Sequence, residues 1–286
     1  MRTFITVSLL LAFATANADN HVDTLKRIAD TGEFRIGFVP DAPPLSYLDN
    51  EGNAIGYSIE LCRHIAARIK AELELDEIDI VFTALVSMED RLGAVENGDV
   101  DIECGATTVT LTRRERVDFT LMTFITGSAV LSRKANPIDT IDDVSGATIA
   151  VLGGTTTEDV MRRVIEVNEF EVNIRLIDSH EQGMELLNER EVDGYASDRA
   201  MLIGQVFVDQ NAQNKYALTR TAFSFEPYAM MLPRGDTEFR LIADKALASL
   251  FRTAKIRRLY HEWFGRYGEQ LSPIVEAMYQ FQAVGE

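Results

Sequence analysis

Cysteine and histidine are both scarce in this sequence, and their scarcity limits the chemistry that it can support. The two cysteines and four histidines form neither a CxxC pair nor an HExxH motif, so we expect no metal site and no cofactor. A disulfide between Cys62 and Cys104 is an open alternative in an oxidising compartment. Cys62 falls in an apolar helical pattern, however, which favours buried, unpaired thiols.

Positive charge is also in short supply. The chain has 28 lysines and arginines against 45 aspartates and glutamates, for a formal net charge of −17. Such a surface repels nucleic acid phosphates and anionic lipids, which excludes both as natural partners. Long-range attraction cannot bring in an anionic ligand either, so a few local cations must hold any anion that binds.

Long apolar runs are absent except at the start of the chain. Arg2, the apolar run from Phe4 to Phe13 and the small residues of Ala16-Asn17-Ala18 have the pattern of a secretory signal peptide cleaved after Ala18. A short N-terminal anchor is the alternative. Because no later stretch approaches the roughly 18 apolar residues of a membrane span, we expect residues 1–18 to be removed and the mature protein to be exported. The remainder is long enough for two domains of about 100–200 residues each.

Short β-rich runs alternate with helical patterns along the rest of the chain, which is typical of a parallel α/β sheet. Ser87 with Asp90, and Ser179 with Gln182, have the spacing of helix N-caps. Strands are predicted at residues 34–39, 78–82, 100–103, 128–132, 147–152, 172–176, 192–196 and 228–232. Helices are predicted at 56–71, 237–252 and 254–266, with others beginning at Ser87, after Glu158, at Ser179 and at Asp198.

The loop at residues 153–158 joins a predicted strand to a helix and reads Gly-Gly-Thr-Thr-Thr-Glu. Free backbone N–H groups and three hydroxyls at a helix N-terminus favour an anionic or acceptor group on a ligand. The loop lacks the GxxxxGK[ST] spacing and the lysine of a phosphate loop. An ordinary helix N-cap is the alternative interpretation.

Three arginines follow the strand at 100–103 and its Gly105–Thr108 turn: Arg113, Arg114 and Arg116. A guanidinium is well suited to hold a carboxylate through two parallel hydrogen bonds. We expect at least one of the three to turn into a ligand cleft, although a solvated helix face would also account for them.

Two more candidates begin helices in the second half of the chain. Asp198 comes just after the strand at 192–196, where it could cap a helix or pair with a ligand ammonium. His180 begins a helix, where a neutral imidazole is favoured over a cation, and a surface histidine is its alternative interpretation. The carboxyl ends of strands are where open α/β sheets bind ligands, so this shared position favours one common site.

Five short motifs occur in a fixed order along the chain: GEFRIG at 32–37, PLSY at 44–47, GYSIEL at 56–61, DIECGATT at 101–108 and GTTT at 154–157. Together they resemble the periplasmic polar amino-acid-binding proteins that serve ABC transporters, the family 3 solute-binding proteins. Among these the sequence is most similar to the glutamate/aspartate-binding proteins. The resemblance covers residues 22–265 and rests on the combination of motifs.

This resemblance implies the type II periplasmic-binding-protein fold, in which two α/β lobes joined by two hinge strands close over one ligand. The crossings are expected near 125–128 and 227–230. The implied organisation is a discontinuous lobe 1 at 22–126 and 229–265, a lobe 2 at 127–228, and a C-terminal tail at 266–286. We expect the tail to pack on lobe 1 through Ile274, Ala277, Met278 and Phe281, and contact with a partner is the alternative.

The resemblance also implies a set of ligand-binding residues. Arg113 and Thr108 would hold the α-carboxylate, with the Ala106 backbone nearby, and Asp198 would hold the α-ammonium. Thr155, Thr156 and His180 would approach the ligand from lobe 2. Arg91 would reach the ligand side chain from lobe 1. The implied ligand is a polar amino acid passed to the membrane subunits of an ABC transporter by a monomeric carrier.

Three positions depart from the acidic-ligand branch. That branch has an arginine where Val39 aligns, a serine where Met88 aligns and a serine where Ala106 aligns. The first two changes weaken the polar grip on a distal carboxylate. Glutamate or aspartate remains the expected ligand, with glutamine or asparagine next, because an uncharged amide tolerates the loss of one cation.

Two other classes of function fit the same scaffold. Some relatives resemble cyclohexadienyl dehydratase and would need an acid with a raised pKa, such as Glu103 or Glu158. No nucleophile–base pair accompanies either glutamate, so we expect no enzyme activity. A sensory binding module is the other alternative, but such modules are usually fused to a membrane span, which we do not find.

Overall fold

A computed structural model describes residues 23–208 and 214–285. The predicted signal peptide lies outside these residues. The helices are α1 (Thr24–Thr31), α2 (Tyr57–Glu72), α3 (Met88–Glu96), α4 (Thr156–Asn168), α5 (His180–Asn188), α6 (Arg199–Val208), α7 (Thr237–Phe251), α8 (Ala254–Trp263) and α9 (Pro273–Gln282). The strands are β1 (Glu33–Phe38), β2 (Asp41–Ala42), β3 (Ser46–Leu48), β4 (Ala54–Ile55), β5 (Asp79–Ala84), β6 (Ile102–Glu103), β7 (Val117–Phe119), β8 (Phe124–Thr126), β9 (Ser128–Arg133), β10 (Thr148–Leu152), β11 (Asn173–Ile177), β12 (Gly194–Asp198), β13 (Tyr216–Leu218), β14 (Glu226–Tyr228) and β15 (Met231–Pro233).

The first of two large sheets has the strand order β5-β1-β6-β15-β7. β1 runs parallel to β5 and β6, while β15 runs antiparallel to β6 and β7. Helix α2 packs against β1 and α7. Its buried face includes the five residues that the periodicity predicts, namely Ile59, Cys62, Ile65, Ala66 and Ile69. An apolar stripe at 3.6-residue spacing was therefore sufficient to orient this helix.

The second large sheet has the strand order β11-β10-β12-β9-β13. β10 is parallel to β11 and β12, and β9 is antiparallel to β12 and β13. Helices α4, α5 and α6 all contact its strands. The strand–helix alternation of the sequence is thus confirmed as parallel α/β structure in this half of the molecule.

Two short strands connect these sheets. β8 follows β7 of the first sheet and precedes β9 of the second, and β14 lies on the return path before β15. β8 and β14 pair antiparallel, with Thr126 opposite Glu226 and Phe124 opposite Tyr228. This is the expected two-lobed α/β fold. Hereafter the first lobe is the part built around the first sheet, and the second lobe is the part built around the second sheet.

The return crossing differs from the single strand predicted at 228–232. It is split into β14 and β15, because Ala229 and Met230 bond to other parts of the first lobe. The Ala229 N–H donates to the Thr107 carbonyl at 3.1 Å, and the Met230 N–H donates to Thr120 Oγ1 at 3.2 Å. The chain leaves the hinge at Tyr228 and enters the first sheet three residues later.

Cys62 and Cys104 form a disulfide, so the preference for unpaired thiols was wrong. Cys62 lies on the buried face of α2, and Cys104 follows β6 in the sheet beneath that helix. Helical periodicity predicts the burial of Cys62 but says nothing about which strand end it meets. The bridge fastens α2 to the chain immediately before the Gly105–Thr108 turn.

The tail packs on the first lobe through a face that includes Met278 but neither Ile274 nor Phe281 of the predicted residues. Val275, Met278 and Tyr279 are buried in the core of that lobe, whereas Ile274 is 50% exposed and Phe281 is 86% exposed. The Gln282 side chain both accepts from the Met122 N–H and donates to its carbonyl, each at 2.8 Å. These two bonds fix the rotation of α9 and turn Ile274 and Phe281 outward.

Candidate functional site

A pocket lies between the lobes, at the carboxyl ends of strands from both large sheets. All eight residues that the resemblance predicted line it: Arg91, Ala106, Thr108, Arg113, Thr155, Thr156, His180 and Asp198. Val39 and Met88, two of the positions that depart from the acidic-ligand branch, line it as well. The predicted set is therefore brought together in one place, with an arginine on one wall and a carboxylate on the other.

Arg113 forms part of the first-lobe wall. It begins a short 3₁₀ turn, Arg113–Glu115, and its Nη1 donates to the Thr108 carbonyl at 2.7 Å. Burial and, to a lesser extent, the positive charge of Arg91 lower its pKa to about 10, against the opposing effect of Glu226, Glu103 and Asp198. Even so, the guanidinium stays protonated at neutral pH, and a bound anion would relieve the cost of its burial.

Only one of the three neighbouring arginines turns into the cleft. Arg114 is exposed, and Arg116 forms ion pairs with Glu89 and Glu96 on the surface. Arg113 is directed inward because the Thr108 carbonyl anchors its guanidinium, and Thr108 itself lines the pocket. This arrangement agrees with the expectation that at least one of the three arginines enters the cleft.

Arg91, on α3, is a second buried cation of the first lobe. Its Nε donates to Glu103 Oε1 at 2.9 Å, and its Nη2 donates to Thr107 Oγ1. Thr107 donates in turn to Glu103 Oε2 at 2.8 Å. The Glu103 carboxylate thus compensates the charge of Arg91 and holds the guanidinium in one orientation at the pocket wall.

The second-lobe wall carries Asp198. It is the last residue of β12 and immediately precedes α6, so the helix begins one residue later than the predicted start at Asp198. Its carboxylate accepts from Thr157 Oγ1 at 3.2 Å, from Ser128 Oγ at 3.3 Å and from the Tyr228 hydroxyl. Burial and, to a lesser extent, the nearby Glu226 raise the pKa of Asp198 to about 6, while these hydrogen bonds oppose the shift.

His180 is the first residue of α5 and is buried. Burial lowers its pKa, and the charge of Arg91 acts in the same direction, while Asp41 opposes both. Nδ1 is hydrogen-bonded to the Tyr195 hydroxyl, which leaves Nε2 for any contact with a ligand. The neutral imidazole expected at a helix N-terminus is consistent with this environment.

The glycine–threonine loop forms the N-terminus of α4, with Thr155 as the N-cap. Part of its hydrogen-bonding capacity is used internally, since the Gly154 N–H donates to Glu158 Oε2 at 2.8 Å and the Glu158 N–H donates to Thr155 Oγ1 at 3.3 Å. Thr156 Oγ1 donates to Glu226 Oε2 at 2.7 Å. The loop is thus an N-cap whose threonines also line the pocket.

Glu226 is an electrostatic neighbour of this site that the sequence did not reveal. It is buried on the hinge strand β14 and acts on the charges of both Arg113 and Asp198. A single glutamate in a hinge carries no periodic signal, and only the antiparallel pairing of β8 with β14 brings it near the pocket. Its position just before Pro227, where a crossing is expected, was the one feature of the sequence that could have placed Glu226 near the pocket.

The two glutamates considered for an enzyme do not line the pocket. Glu103 is the partner of Arg91, and Glu158 pairs with Arg162 and the Gly154 N–H. In the described ranges, 23–208 and 214–285, no group of three or more histidine, cysteine, aspartate or glutamate side chains is arranged to hold a metal. Within the same ranges none of the helices combines the length and apolarity needed to span a bilayer.

Two α/β lobes that face each other across a polar pocket, with two short crossing strands between them, define a bilobal solute-binding protein. The chain belongs to the bacterial extracellular solute-binding proteins, family 3, whose family model matches residues 34–266. The match spans both large sheets and both crossings.

Individual relatives agree with this assignment. The chain is 32% identical to the L-glutamate/L-aspartate-binding protein of Pseudomonas aeruginosa, over 92% of this chain and 86% of the relative. It is 25% identical to the glutamate/aspartate import solute-binding protein of Escherichia coli K12, over 90% of this chain and 86% of that protein. A solved structure of an ancestral arginine-binding protein bound to glutamine superposes with a TM-score of 0.72 at 25% identity, covering 82% of this chain and 98% of that one.

Proposed function

We propose that this protein captures one free L-amino acid between its lobes and delivers it to an ABC importer. The observation that carries the proposal is the placement of Arg113 and Asp198 on opposite walls of one pocket. A buried guanidinium matches an α-carboxylate, and a buried carboxylate matches an α-ammonium. Each charge lacks full compensation within its own wall, as the shifted pKa values of both groups indicate. A zwitterion supplies both missing partners at once.

Binding of this kind couples the ligand to lobe closure. A ligand shifts a conformational equilibrium only by the difference in its affinity for the two states. With the α-carboxylate held from the first lobe and the α-ammonium from the second, both contacts exist together only when the lobes are closed. The two lobes can then close over the ligand by a hinge motion about the crossing strands β8 and β14.

We propose glutamate or aspartate as the ligand, with glutamine or asparagine as the nearest competitor. Arg91 and the neutral His180 support a polar or acidic side chain, as do the ligands named for the two relatives above. Val39, Met88 and the pairing of Arg91 with Glu103 favour the amides, because Arg113 is the proposed partner of the α-carboxylate and Arg91 is already paired, so a second carboxylate would find no free cation among these two arginines. This balance makes the acid-to-amide preference the property that most needs measuring.

The proposed setting follows from the family and from the start of the sequence. We propose that residues 1–18 are a signal peptide cleaved after Ala18 and that the mature protein works in the periplasm as a monomer. We further propose lobe limits of 22–126 with 229–265 and of 127–228, with residues 266–286 as a tail. The membrane subunits of an ABC transporter are the proposed partner.

Isothermal calorimetry against the common L-amino acids tests the proposed function. The protein should first be unfolded, dialysed and refolded, because carried-over ligand would mask binding. We expect one acidic or amide amino acid to bind with a Kd near 1 µM, which corresponds to about −8 kcal/mol. Absence of heat with all of them would contradict the proposal, and tight binding of a basic or aromatic amino acid would contradict the ligand class.

A further inference from the structure

Asp41 forms polar contacts between the lobes that do not use the pocket-lining side chains. This residue lies in β2, which belongs to a small sheet with β3 and β4 in the first half of the chain. Its Oδ2 accepts from the backbone N–H of His180 at 2.8 Å and from that of Glu181 at 3.4 Å. A first-lobe carboxylate thus caps the N-terminus of a second-lobe helix, α5.

Helix α5 does not need this cap for its own folding. Ser179 is already its N-cap, and Ser179 Oγ accepts from the Gln182 N–H at 3.1 Å. The first N–H groups of a helix have no partner within the helix, and a carboxylate placed there is favoured by the helix dipole. With the lobes apart, water would take the place of Asp41. The contact therefore favours the closed arrangement without being required for the second lobe.

The same loop meets a second helix of the opposite lobe. Gln205 Nε2, on α6, donates to the Asp41 carbonyl at 2.6 Å. One residue earlier, the backbone of Gly204 lies so close that an added Cβ would be 2.0 Å from the Pro43 carbonyl oxygen and 2.9 Å from Pro44 Cδ. The Pro43 carbonyl belongs to the backbone and Pro44 Cδ to a rigid ring, so neither can move aside as a flexible side chain would, and only glycine allows this approach.

We propose that the Asp41–Pro44 loop is an interlobe latch and that Asp41 is a positioning residue for His180. The latch holds the first turn of α5, and with it the His180 ring, at the pocket wall once the lobes have closed. It rests on the proposed function, since it acts on the dwell time of the bound amino acid. Because Gly204 has no side chain, the latch can lie directly against α6.

Asp41 variants test the positioning effect by stopped-flow binding kinetics with the amino acid found by calorimetry. In Asp41→Ala the dissociation rate should rise about tenfold while the association rate stays near that of the wild type. Asp41→Asn keeps one acceptor oxygen for the His180 N–H and should recover much of the loss. Asp49→Ala is the matched control, because it removes the same charge from the neighbouring turn, where Asp49 bonds to Glu51 and Asn53.

Gly204→Ala tests the close approach. Alanine is a better helix former than glycine, so α6 should form and the ligand-free variant should melt no lower than the wild type. The added methyl group should raise Kd at least 100-fold and prevent the ligand-induced decrease in radius of gyration measured by small-angle X-ray scattering. Gly93→Ala is the matched control, since a Cβ at Gly93 on α3 meets no atom within 4 Å.

The two proposals fail in different ways. Dissociation rates unchanged in Asp41→Ala, or normal compaction in Gly204→Ala, would overturn the latch while wild-type binding still supported the proposed function. If no amino acid bound the wild type, the proposed function would fail, and scattering from the free proteins would still decide about the latch. A wild type more compact than Asp41→Ala and Gly204→Ala would then support it, and identical profiles would overturn it.

Discussion

Arg113 is the residue whose replacement should affect ligand affinity most. In Arg113→Ala the ligand carboxylate would enter a buried site without its cation, and such losses cost about 2–5 kcal/mol. We therefore expect Kd to rise between about 30-fold and several thousand-fold in calorimetry. Arg114→Ala, at the exposed neighbouring arginine, is the control and should bind as the wild type does. Near-normal affinity in Arg113→Ala would show that this guanidinium does not hold the ligand.

Asp198 should make ligand binding sensitive to mildly acidic pH. Its pKa is raised to about 6 in the ligand-free protein, and only its ionised form can pair with an ammonium. Affinity should be level above about pH 7 and fall about tenfold for each pH unit below 6. Titrations at pH 7.5 and pH 5 check this, and equal affinities at the two values would contradict the pairing.

The same group should affect the stability of the ligand-free protein with the opposite sign. Because the folded pKa of Asp198 lies above its ordinary value of 3.8, protonation favours the folded state. The stability that this carboxyl contributes is complete below pH 3.8 and is lost as the pH rises through about 6. Asp244, on α7 outside the pocket, also has its pKa raised to about 6 by burial, so only the binding experiment isolates Asp198.

At the scale of elements, the disulfide should stabilise the first lobe. Closing a loop of 42 residues lowers the entropy of the unfolded chain by an amount worth about 4 kcal/mol. Replacing both cysteines with alanine should lower the melting temperature clearly. The double variant avoids leaving one reactive thiol, and calorimetric denaturation measures the effect. A melting temperature equal to that of the wild type would contradict a stabilising bridge.

Elements whose signals are local could be predicted from the sequence. Ser87 forms the expected capping box with Asp90, and Ser179 accepts from Gln182 as its spacing indicated. Residues 56–61 begin α2 as expected. N-caps and apolar periodicity depend on residues within one turn of each other, so they can be read without knowing the fold.

Elements whose form depends on distant partners could not be predicted. The face of α9 is set by the bonds between Gln282 and Met122, which are far apart in the chain. The break between β14 and β15 depends on bonds from Ala229 to Thr107 and from Met230 to Thr120. Glu226 stayed undetected for the same reason, since its proximity to Asp198 exists only after the two crossings have paired.

At the scale of the whole molecule, the acidic surface and the pocket have different electrostatics. A net charge of −17 repels an acidic amino acid at long range, whereas Arg113 and Arg91 attract one at short range. Salt screens interactions between exposed charges beyond about 10 Å at 0.1 M but affects buried pairs much less. Recognition should therefore depend on the pocket rather than on the surface field.

The central claim is that the two ends of a free amino acid are held from opposite lobes. Calorimetry with the cognate amino acid, its α-carboxamide and its N-acetyl derivative tests it directly, because each derivative removes the charge at one end and leaves the side chain intact. Both derivatives should lose binding by at least about 100-fold. If either bound with the affinity of the free amino acid, the wall that faces its blocked end would not be holding the ligand, and the proposed binding mode would be wrong.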